Sequence, residues 1–390
     1  MLPMRQTSSI ISTYTADVSG VCSALFELGG MTVMHDASGC NSTYNTHDEP
    51  RWYDMDSLVF ISALTEMDAI MGDDDKLIGD ITDAAMQLKP RFIAIAGTPI
   101  PMITGFDFRA AALAIEKRTG IPTLGIPTNG MHSYARGAGM ALEGIARRFV
   151  TLDENRGHSP LHTVNILGAT PLDFSVNGSV DAMRELLSGN GFEVVSCWAM
   201  GSSLEDIMQS ARARVNLVVS SSGLPAARYM YETFGIPYVV GAPFGRFERE
   251  VVLALARAMQ SGKPVVAYAG LEQASGDMVI VGECVTSCSL AAAIYAEFGI
   301  KARVISTVGT GAELLAPCAV RSRGENELAD MLSNARRIIA DPLYAPICPN
   351  DAQFMALPHE AFSGRIYRSD IPNMIGRDLG ELAGGKCRCN

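Results

Sequence analysis

Residues 22–40 read CSALFELGGMTVMHDASGC, and a second distinctive run, TEMDAIMGDDDKL, follows at residues 65–77. Apolar side chains at helical spacing predict a helix over residues 22–29, and the glycine pair at its end stops that helix. The apolar run at residues 31–34 predicts a buried strand, and the loop HDASGC, residues 35–40, follows its carboxyl end. Open α/β sheets bind their ligands at this edge, so the stretch is the first candidate for a site.

The stretch contains two thiols in different local settings. Cys22 starts the predicted helix, and Cys40 lies in the loop beyond the next strand. Their separation matches no zinc signature, and no CxxC pair lies nearby. Cysteine often serves as a small buried hydrophobe, so spacing alone favours an ordinary core role for both.

Length and composition narrow the class of protein. The chain has 390 residues, of which 48% are hydrophobic, enough for a large core and two or three domains. The net charge of −11 and the lack of a basic patch argue against nucleic acid as a partner. No apolar run is long enough to predict a membrane span, and the N-terminus does not resemble a signal peptide. The nine scattered cysteines do not suggest a disulfide scaffold and favour a reducing cytoplasm.

Short apolar runs alternate with helical patterns along most of the chain, which predicts βαβ units and an α/β fold with parallel sheets. A polar linker separates a first domain, residues 1–152, from a second domain, residues 161–262. A third domain with a C-terminal segment occupies residues 263–390, and its pattern predicts a long helix over residues 326–340.

The loop HDASGC followed by TEMDAIMGDDDKL resembles the nitrogenase component 1 family. That family includes the molybdenum–iron protein, the dark-operative protochlorophyllide reductase catalytic subunits and the nickel-tetrapyrrole reductive cyclase of methanogens. Its members typically carry H-G-x-x-G-C and T/S-E-x-D-x-x-F-G-x-x-x-K-L; here Asp36 replaces the first glycine and Met71 replaces the aromatic residue. The resemblance covers most of residues 15–310 and implies three Rossmann-like domains with parallel sheets.

The resemblance assigns a cluster to the two thiols. Cys22 and Cys40 match the first two cluster cysteines of the family, with Gly39 beside the second, and the third family cysteine is missing. A [4Fe–4S] cluster normally takes four thiolates, whereas one chain supplies two from this set. The family places the cluster at a subunit interface, so we expect a homodimer in which two chains share one cluster.

Other departures from the family bear on further metal sites. Ser220 matches the cysteine that anchors the cofactor in the molybdenum–iron protein, and a hydroxyl is a poor substitute for a soft thiolate. We therefore expect no molybdenum–iron cofactor and no nitrogen fixation. Cys284 and Cys288 are spaced i, i+4, which allows a metal or redox pair but favours buried packing at a helix start.

Three histidines are candidate catalytic residues. His35 lies in the cysteine loop, where hydrogen bonding within the turn is the favoured alternative role. His132 follows a predicted strand end and could face a cavity between domains. His359 is the third candidate, and the sequence identifies no partner for it.

The resemblance implies a cytoplasmic reductase that receives electrons from a separate ATP-dependent iron protein similar to nitrogenase reductase. The chain itself has no GxxxxGK[ST] motif for ATP hydrolysis. The electrons would pass through the cluster to a small unsaturated organic molecule, for which a tetrapyrrole is the best single candidate. Two alternatives stay open: a metallocluster assembly scaffold without turnover, and a metal-free ligand-binding protein on the same fold.

Overall fold

Three parallel β-sheets follow one another along the chain in the computed structural model. The structure describes residues 9–12, 14–37, 49–72, 74–152, 162–274, 276–308 and 311–380. The strand pairings that build the three sheets are all parallel, and an α-helix follows most of the strands. This architecture confirms the predicted α/β fold with three Rossmann-like units.

The first sheet has the strand order β2-β1-β3-β4. Its unit consists of α1 (Asp17–Leu25), β1 (Met31–His35), β2 (Leu58–Ile61), α2 (Glu66–Met71), α3 (Asp74–Leu88), β3 (Ile93–Gly97), α4 (Pro99–Thr104), α5 (Phe108–Thr119), β4 (Thr123–Ile126) and α6 (Tyr134–Phe149).

The first helix differs from the helix predicted over residues 22–29. It begins at Asp17 and ends at Leu25, so Cys22 lies in its second half and does not start it. Small residues such as Gly20 interrupt the apolar spacing in the first half of α1, which hid that half from the pattern. The Asp17 carboxylate accepts hydrogen bonds from the backbone N–H groups of the loop before α6.

Helices α1 and α6 pack with their backbones in direct contact. A Cβ atom added at Gly20 would lie 2.1 Å from the carbonyl oxygen of Tyr134. A Cβ atom added at Gly137 would lie 1.8 Å from the carbonyl oxygen of Asp17. No side chain fits at either distance, so the two glycines determine how closely the helices approach.

We expect Gly137→Ala to lower the free energy of unfolding by about 3 kcal/mol, the upper end of the usual cost of overpacking. Gly144→Ala in the same helix is the matched control, because the nearest heavy atom to its Cβ would be Leu124 Cδ1 at 3.7 Å. The control should stabilise the protein by about 0.5–1 kcal/mol through helix propensity. Urea unfolding measures both changes, and equal effects would contradict the close packing of α1 on α6.

The second sheet has the order β6-β5-β7-β8-β9. Its unit consists of β5 (Thr163–Leu167), α7 (Pro171–Phe174), α8 (Ser179–Gly189), β6 (Glu193–Cys197), α9 (Leu204–Met208), β7 (Val215–Val218), α10 (Leu224–Phe234), β8 (Tyr238–Val240), α11 (Glu248–Ser261) and β9 (Val265–Val266). The edge strand β9 follows residue 262, where we placed the end of the second domain, and the domain boundaries stay predictions.

The third sheet has the order β12-β11-β10-β13-β14. Its unit consists of β10 (Met278–Gly282), α12 (Cys284–Phe298), β11 (Arg303–Ser306), β12 (Ala319–Arg321), α13 (Glu325–Leu332), β13 (Arg337–Ala340), β14 (Gln353–Ala356) and α14 (Glu360–Ser363). The prediction of one helix over residues 326–340 was wrong, because α13 ends at Leu332 and β13 follows it. The fully buried Ile338 and Ile339 belong to the sheet and not to a helix face.

One apolar core joins the three units. The largest cluster of buried apolar residues includes side chains from α1 and α6, from the second sheet, and from β10 and α12. Helix α6 of the first unit also packs against α10 of the second. The units therefore meet through a shared interior.

Among the described residues, no helix combines the length and the apolar character needed to cross a membrane.

Candidate functional site

A cavity of about 50 Å³ lies between the second and third units. Apolar side chains such as Phe174, Phe244 and Phe362 form part of its lining. Two polar side chains in the lining, Asp173 and His359, come from different units. Its lining, apolar with a few convergent polar groups, resembles that of a small-molecule site, but its volume is well below the roughly 300 Å³ at which such sites begin.

Asp173 is a fully buried carboxylate in the wall of this cavity. It lies in the short helix α7, where the hydroxyl of Thr170 caps the helix and donates to Oδ2 at 2.7 Å. The hydroxyl of Tyr134, at the start of α6, donates to Oδ1 at 2.5 Å. Burial, followed by the negative charge of Glu283, raises the pKa of Asp173 to about 7. Burial therefore favours the protonated form of this carboxyl group more than water does.

His359 faces Asp173 across the cavity wall. Its Nε2 atom lies 3.7 Å from Asp173 Oδ1, too far for a hydrogen bond, and has no hydrogen-bond partner among the described residues. Its Nδ1 atom accepts a hydrogen bond from the N–H of Ala361, which assigns the proton to Nε2. The ring stacks on Phe362 with a centroid distance of 4.5 Å. Burial lowers the pKa of His359 to about 4, so the imidazole is neutral at pH 7.

Glu283 connects the second and third units beside the cavity. It caps α12, accepting from the N–H of Thr286 at 2.8 Å, and it also accepts from the N–H of Ser221 at 3.0 Å. Next to that loop, the fully buried hydroxyl of Ser220 donates to the carbonyl oxygen of Gly168 at 2.7 Å. The hydroxyl therefore has a structural partner within the second unit.

The other two candidate histidines lie elsewhere. His35 Nδ1 is 2.8 Å from Ser62 Oγ, its ring lies against Phe106, and burial lowers its pKa to about 4. It lines a separate, open cleft of about 800 Å³ in the first unit, together with Asp68. His132 is half-buried, its carbonyl oxygen accepts a hydrogen bond from the N–H of Asp17, and it is not part of the described cavity lining. The structure brings neither histidine to the cavity that contains His359.

Cys22 is fully buried in the core of the first unit and forms no disulfide. Burial, followed by the charge of Glu49, raises the pKa of its thiol, so binding a metal there would release a proton. Cys40 and Gly39 lie outside the described residues. Within the described ranges, no group of three or more His, Cys, Asp or Glu side chains is placed to hold a metal ion. The role of Cys22 as a cluster ligand stays a prediction.

Sequence comparison decides the family. The profile of the nitrogenase component 1 type oxidoreductases matches residues 19–265, well over half of the chain. The chain belongs to this family.

Two relatives illustrate the range within the component 1 type family. The nitrogenase iron-molybdenum cofactor biosynthesis protein NifE of Clostridium pasteurianum is 27% identical over 188 residues, which cover 48% of this chain and 40% of NifE. A light-independent protochlorophyllide reductase subunit from Nephroselmis olivacea is 31% identical over 113 residues, 27% of this chain and 21% of that protein. The chain thus spans about two fifths or less of the curated relatives it matches first.

A solved structure shares the fold over a greater length. The structure titled "Nitrogenase Cp1 at pH 5" superposes with a TM-score of 0.66 at 15% identity, and the match covers 98% of this chain and 90% of that chain. At this identity the match establishes the common component 1 fold and carries no information on chemistry.

This component 1 type chain also contains a buried ion network that sequence analysis missed. The guanidinium group of Arg51 pairs with Glu27 at 2.8 Å and with Glu49 at 2.6 Å. It also donates to the carbonyl oxygens of Ser23 in α1 and Ala199 in the second unit, at 2.7 and 2.8 Å. The network attaches the helix that contains Cys22 to the second unit. The sequence around Arg51 looks like that of an ordinary polar loop, so no local pattern indicates the network.

The thiols of Cys284 and Cys288 are fully buried in α12. Cys284 Sγ donates to the carbonyl oxygen of Leu314 at 3.4 Å. Neither thiol belongs to a potential metal-binding group in the part of the chain that the structure describes. Their surroundings fit the predicted packing role.

Proposed function

We propose that this chain is the catalytic component of a nitrogenase-like reductase. One observation carries the proposal: residues 19–265 match the profile of the nitrogenase component 1 type oxidoreductases. Ser220, whose hydroxyl donates to Gly168, stands where the resemblance places an anchoring cysteine. A hydroxyl in place of that thiol suits reduction of an organic molecule better than permanent attachment of a cofactor.

The proposed electron route uses Cys22 and Cys40 of two chains, which would hold one [4Fe–4S] cluster in a homodimer. When bound, such a cluster supplies single low-potential electrons. The protein's own contribution is a buried thiol at residue 22 and a rigid attachment of its helix through Arg51. A separate ATP-dependent iron protein, similar to nitrogenase reductase, would deliver the electrons.

The proposed substrate is a small unsaturated organic molecule, with a tetrapyrrole as the best single candidate. The relative named as part of a light-independent protochlorophyllide reductase supports this class. We expect no molybdenum–iron cofactor, and we place the protein in the cytoplasm, where reduced thiols such as Cys197 and Cys318 persist.

The similarity to NifE favours a second candidate function, an assembly scaffold that holds a metallocluster without turnover. A metal-free ligand-binding protein is the third alternative, and the match to an oxidoreductase family gives it less support. The three functions differ in whether ATP is needed and in whether the cluster is reduced, transferred to another protein or absent.

The deciding experiment mixes anaerobically purified protein with a reduced nitrogenase-reductase-like iron protein, with and without ATP, and records the cluster oxidation state by electron paramagnetic resonance. We expect cluster reduction only with ATP, because the proposed iron protein is ATP-dependent. The chain itself lacks a P-loop that could use ATP in its place. A scaffold would instead transfer an intact cluster to an acceptor without ATP. Equal reduction without ATP, or failure of the iron protein to bind, would contradict the reductase assignment.

A further inference from the structure

An open cleft in the first unit plays no part in the proposed function. It lies where β1 and β2 end, and His35 and Ser62 belong to its lining. Within its total open space of about 800 Å³, about 260 Å³ can be occupied by the centres of water-sized molecules, compared with about 50 Å³ in the cavity between the second and third units. Small-molecule sites begin at roughly 300 Å³, so the cleft has room for a ligand somewhat smaller than a typical drug.

The hydrogen bonds around His35 determine its tautomer. The hydroxyl of Ser62 accepts a hydrogen bond from the N–H of Asp36 at 3.1 Å and donates its own proton to the carbonyl oxygen of Asp36 at 3.3 Å. The third contact of that hydroxyl, with His35 Nδ1 at 2.8 Å, is then satisfied only if Nδ1 carries the imidazole proton. This tautomer leaves a lone pair on Nε2.

Nε2 of His35 is available to a ligand. The residue is only 6% exposed, and Nε2 has no hydrogen-bond partner among the described residues. Unlike Nε2 of His359, this atom is not shut off from water, so it reaches the cleft that His35 lines. Burial lowers the pKa of His35 to about 4, and the neutral ring therefore does not repel a cation at pH 7.

The side-chain donors of the cleft are engaged, whereas its net charge is negative. Lys76 Nζ pairs with Asp68 at 2.7 Å, and the hydroxyl of Thr104 donates to a backbone carbonyl oxygen at 3.2 Å. Asp74 and Asp80 complete a set of three aspartates and one lysine, so the lining has a net charge of −2. A ligand that complements this lining carries positive charge and supplies N–H donors.

Apolar side chains form the rest of the lining. The ring of Phe106 lies against His35 with a centroid distance of 4.6 Å, and it also lines the cleft. An aromatic face attracts a nearby cation. Leu64 and Leu77 offer aliphatic surface that an alkyl group can cover. The lining therefore suits a cation with an organic part better than a bare ion.

We propose that this cleft binds a small organic cation of the alkylguanidine class. A guanidinium group combines positive charge with several N–H donors in one plane, so it can donate to His35 Nε2 and to the Asp80 carboxylate at once. A metal ion fits less well, because within the described ranges no group of three or more His, Cys, Asp or Glu side chains is placed to hold one. Binding at this cleft requires neither a cluster nor electron transfer, so it is independent of the reductase function.

Isothermal titration calorimetry of the whole protein with butylguanidinium tests the binding. Butylurea is the matched probe, because it has nearly the same shape but no charge. Butylguanidinium should bind with an affinity that falls as salt is added, and butylurea should bind roughly 5-fold more weakly or not at all. Equal affinities for the two probes, or no binding of butylguanidinium, would overturn the proposal.

Asp80→Asn removes one negative charge from the lining without disturbing the core, because Asp80 is exposed on α3. The substitution should weaken butylguanidinium binding roughly 5-fold, the upper range for an exposed ion pair. Asp83→Asn is the matched control, since Asp83 is also exposed on α3 but does not line the cleft. The control should bind as wild type does, and equal weakening by the two substitutions would contradict binding in the cleft.

Nitrogen NMR of protein labelled at histidine tests the contact with His35. The Nε2 resonance of His35, identified by its absence from His35→Gln, should shift when butylguanidinium binds, while Nδ1 stays protonated. His35→Asn should weaken binding roughly 10-fold, as expected for a hydrogen bond to a charged group, because asparagine has no polar atom at the position of Nε2. His35→Gln places an amide oxygen there and should retain binding. An unshifted Nε2 resonance at saturating ligand, or equal affinities of the two variants, would overturn the assignment.

Discussion

Cys22→Ser should remove most of the iron from anaerobically purified protein, and Cys40→Ser should do the same. Wild type should contain about four irons per dimer if two chains share one [4Fe–4S] cluster. A serine hydroxyl is a poor ligand for iron, so the loss of one thiol per chain leaves the shared site with half of its soft donors. Iron and sulfide analysis, together with the visible absorption of the cluster, measures the loss.

Buried cysteines outside the predicted site are the matched controls. Cys284→Ser and Cys197→Ser each change a fully buried thiol, as Cys22→Ser does, so they reproduce the cost of placing a hydroxyl in the core. Both controls should keep the wild-type iron content. Full iron retention in Cys22→Ser and Cys40→Ser would refute the cluster assignment, and equal iron loss in the controls would trace the effect to general destabilisation.

Arg51→Ala should lower the free energy of unfolding by about 3–5 kcal/mol, the usual cost of breaking a buried ion pair. The substitution removes the ion-pair partner of Glu49, whose side chain is fully buried, and of Glu27. It also deprives the carbonyl oxygens of Ser23 and Ala199 of their donors. Urea unfolding at neutral pH, where the carboxylates are charged, measures the change.

Arg147→Ala is the control for this prediction. Arg147 pairs with Glu143 at 2.7 Å one turn away in α6, but its side chain is 57% exposed. Water screens such a pair, and its loss should cost about 0.3–0.5 kcal/mol. A double variant, Arg51→Ala with Glu49→Gln, should recover part of the loss because it also removes the buried negative charge that Arg51 neutralises. Equal losses in Arg51→Ala and Arg147→Ala would contradict the role of the buried network.

Much of the fold could be predicted from local patterns, because buried parallel strands appear as short apolar runs and helix ends carry glycine. The failures have local causes as well. In the third unit, the helical pattern of α13 has no visible stop before residue 340, because the connection between Leu332 and Arg337 contains neither glycine nor proline. At α1, the small residues that allow contact with α6 also removed the apolar signal. Both errors arise where tertiary packing decides an element's limits.

The candidate site was less accessible to sequence analysis. His359 could be named as a candidate, but its neighbour Asp173 belongs to another unit, and no local pattern reports that contact. Thr170 and Asp173 have the spacing of a helix cap, which gives the acid an ordinary structural explanation. Tyr134 lies at the start of an amphipathic helix and is indistinguishable from a core residue. The site exists only where three units converge.

The apolar core that runs from α1 through the second sheet to α12 has a consequence for cooperativity. Proteins with three separate interiors can lose one unit while the others persist, but here one cluster of buried apolar side chains includes residues of all three units. The Glu283 carboxylate also links two units, because it accepts hydrogen bonds from the start of α12 in the third unit and from a loop of the second unit. The units should therefore melt in one transition, and a fragment of residues 161–262 alone would expose apolar faces to water and aggregate.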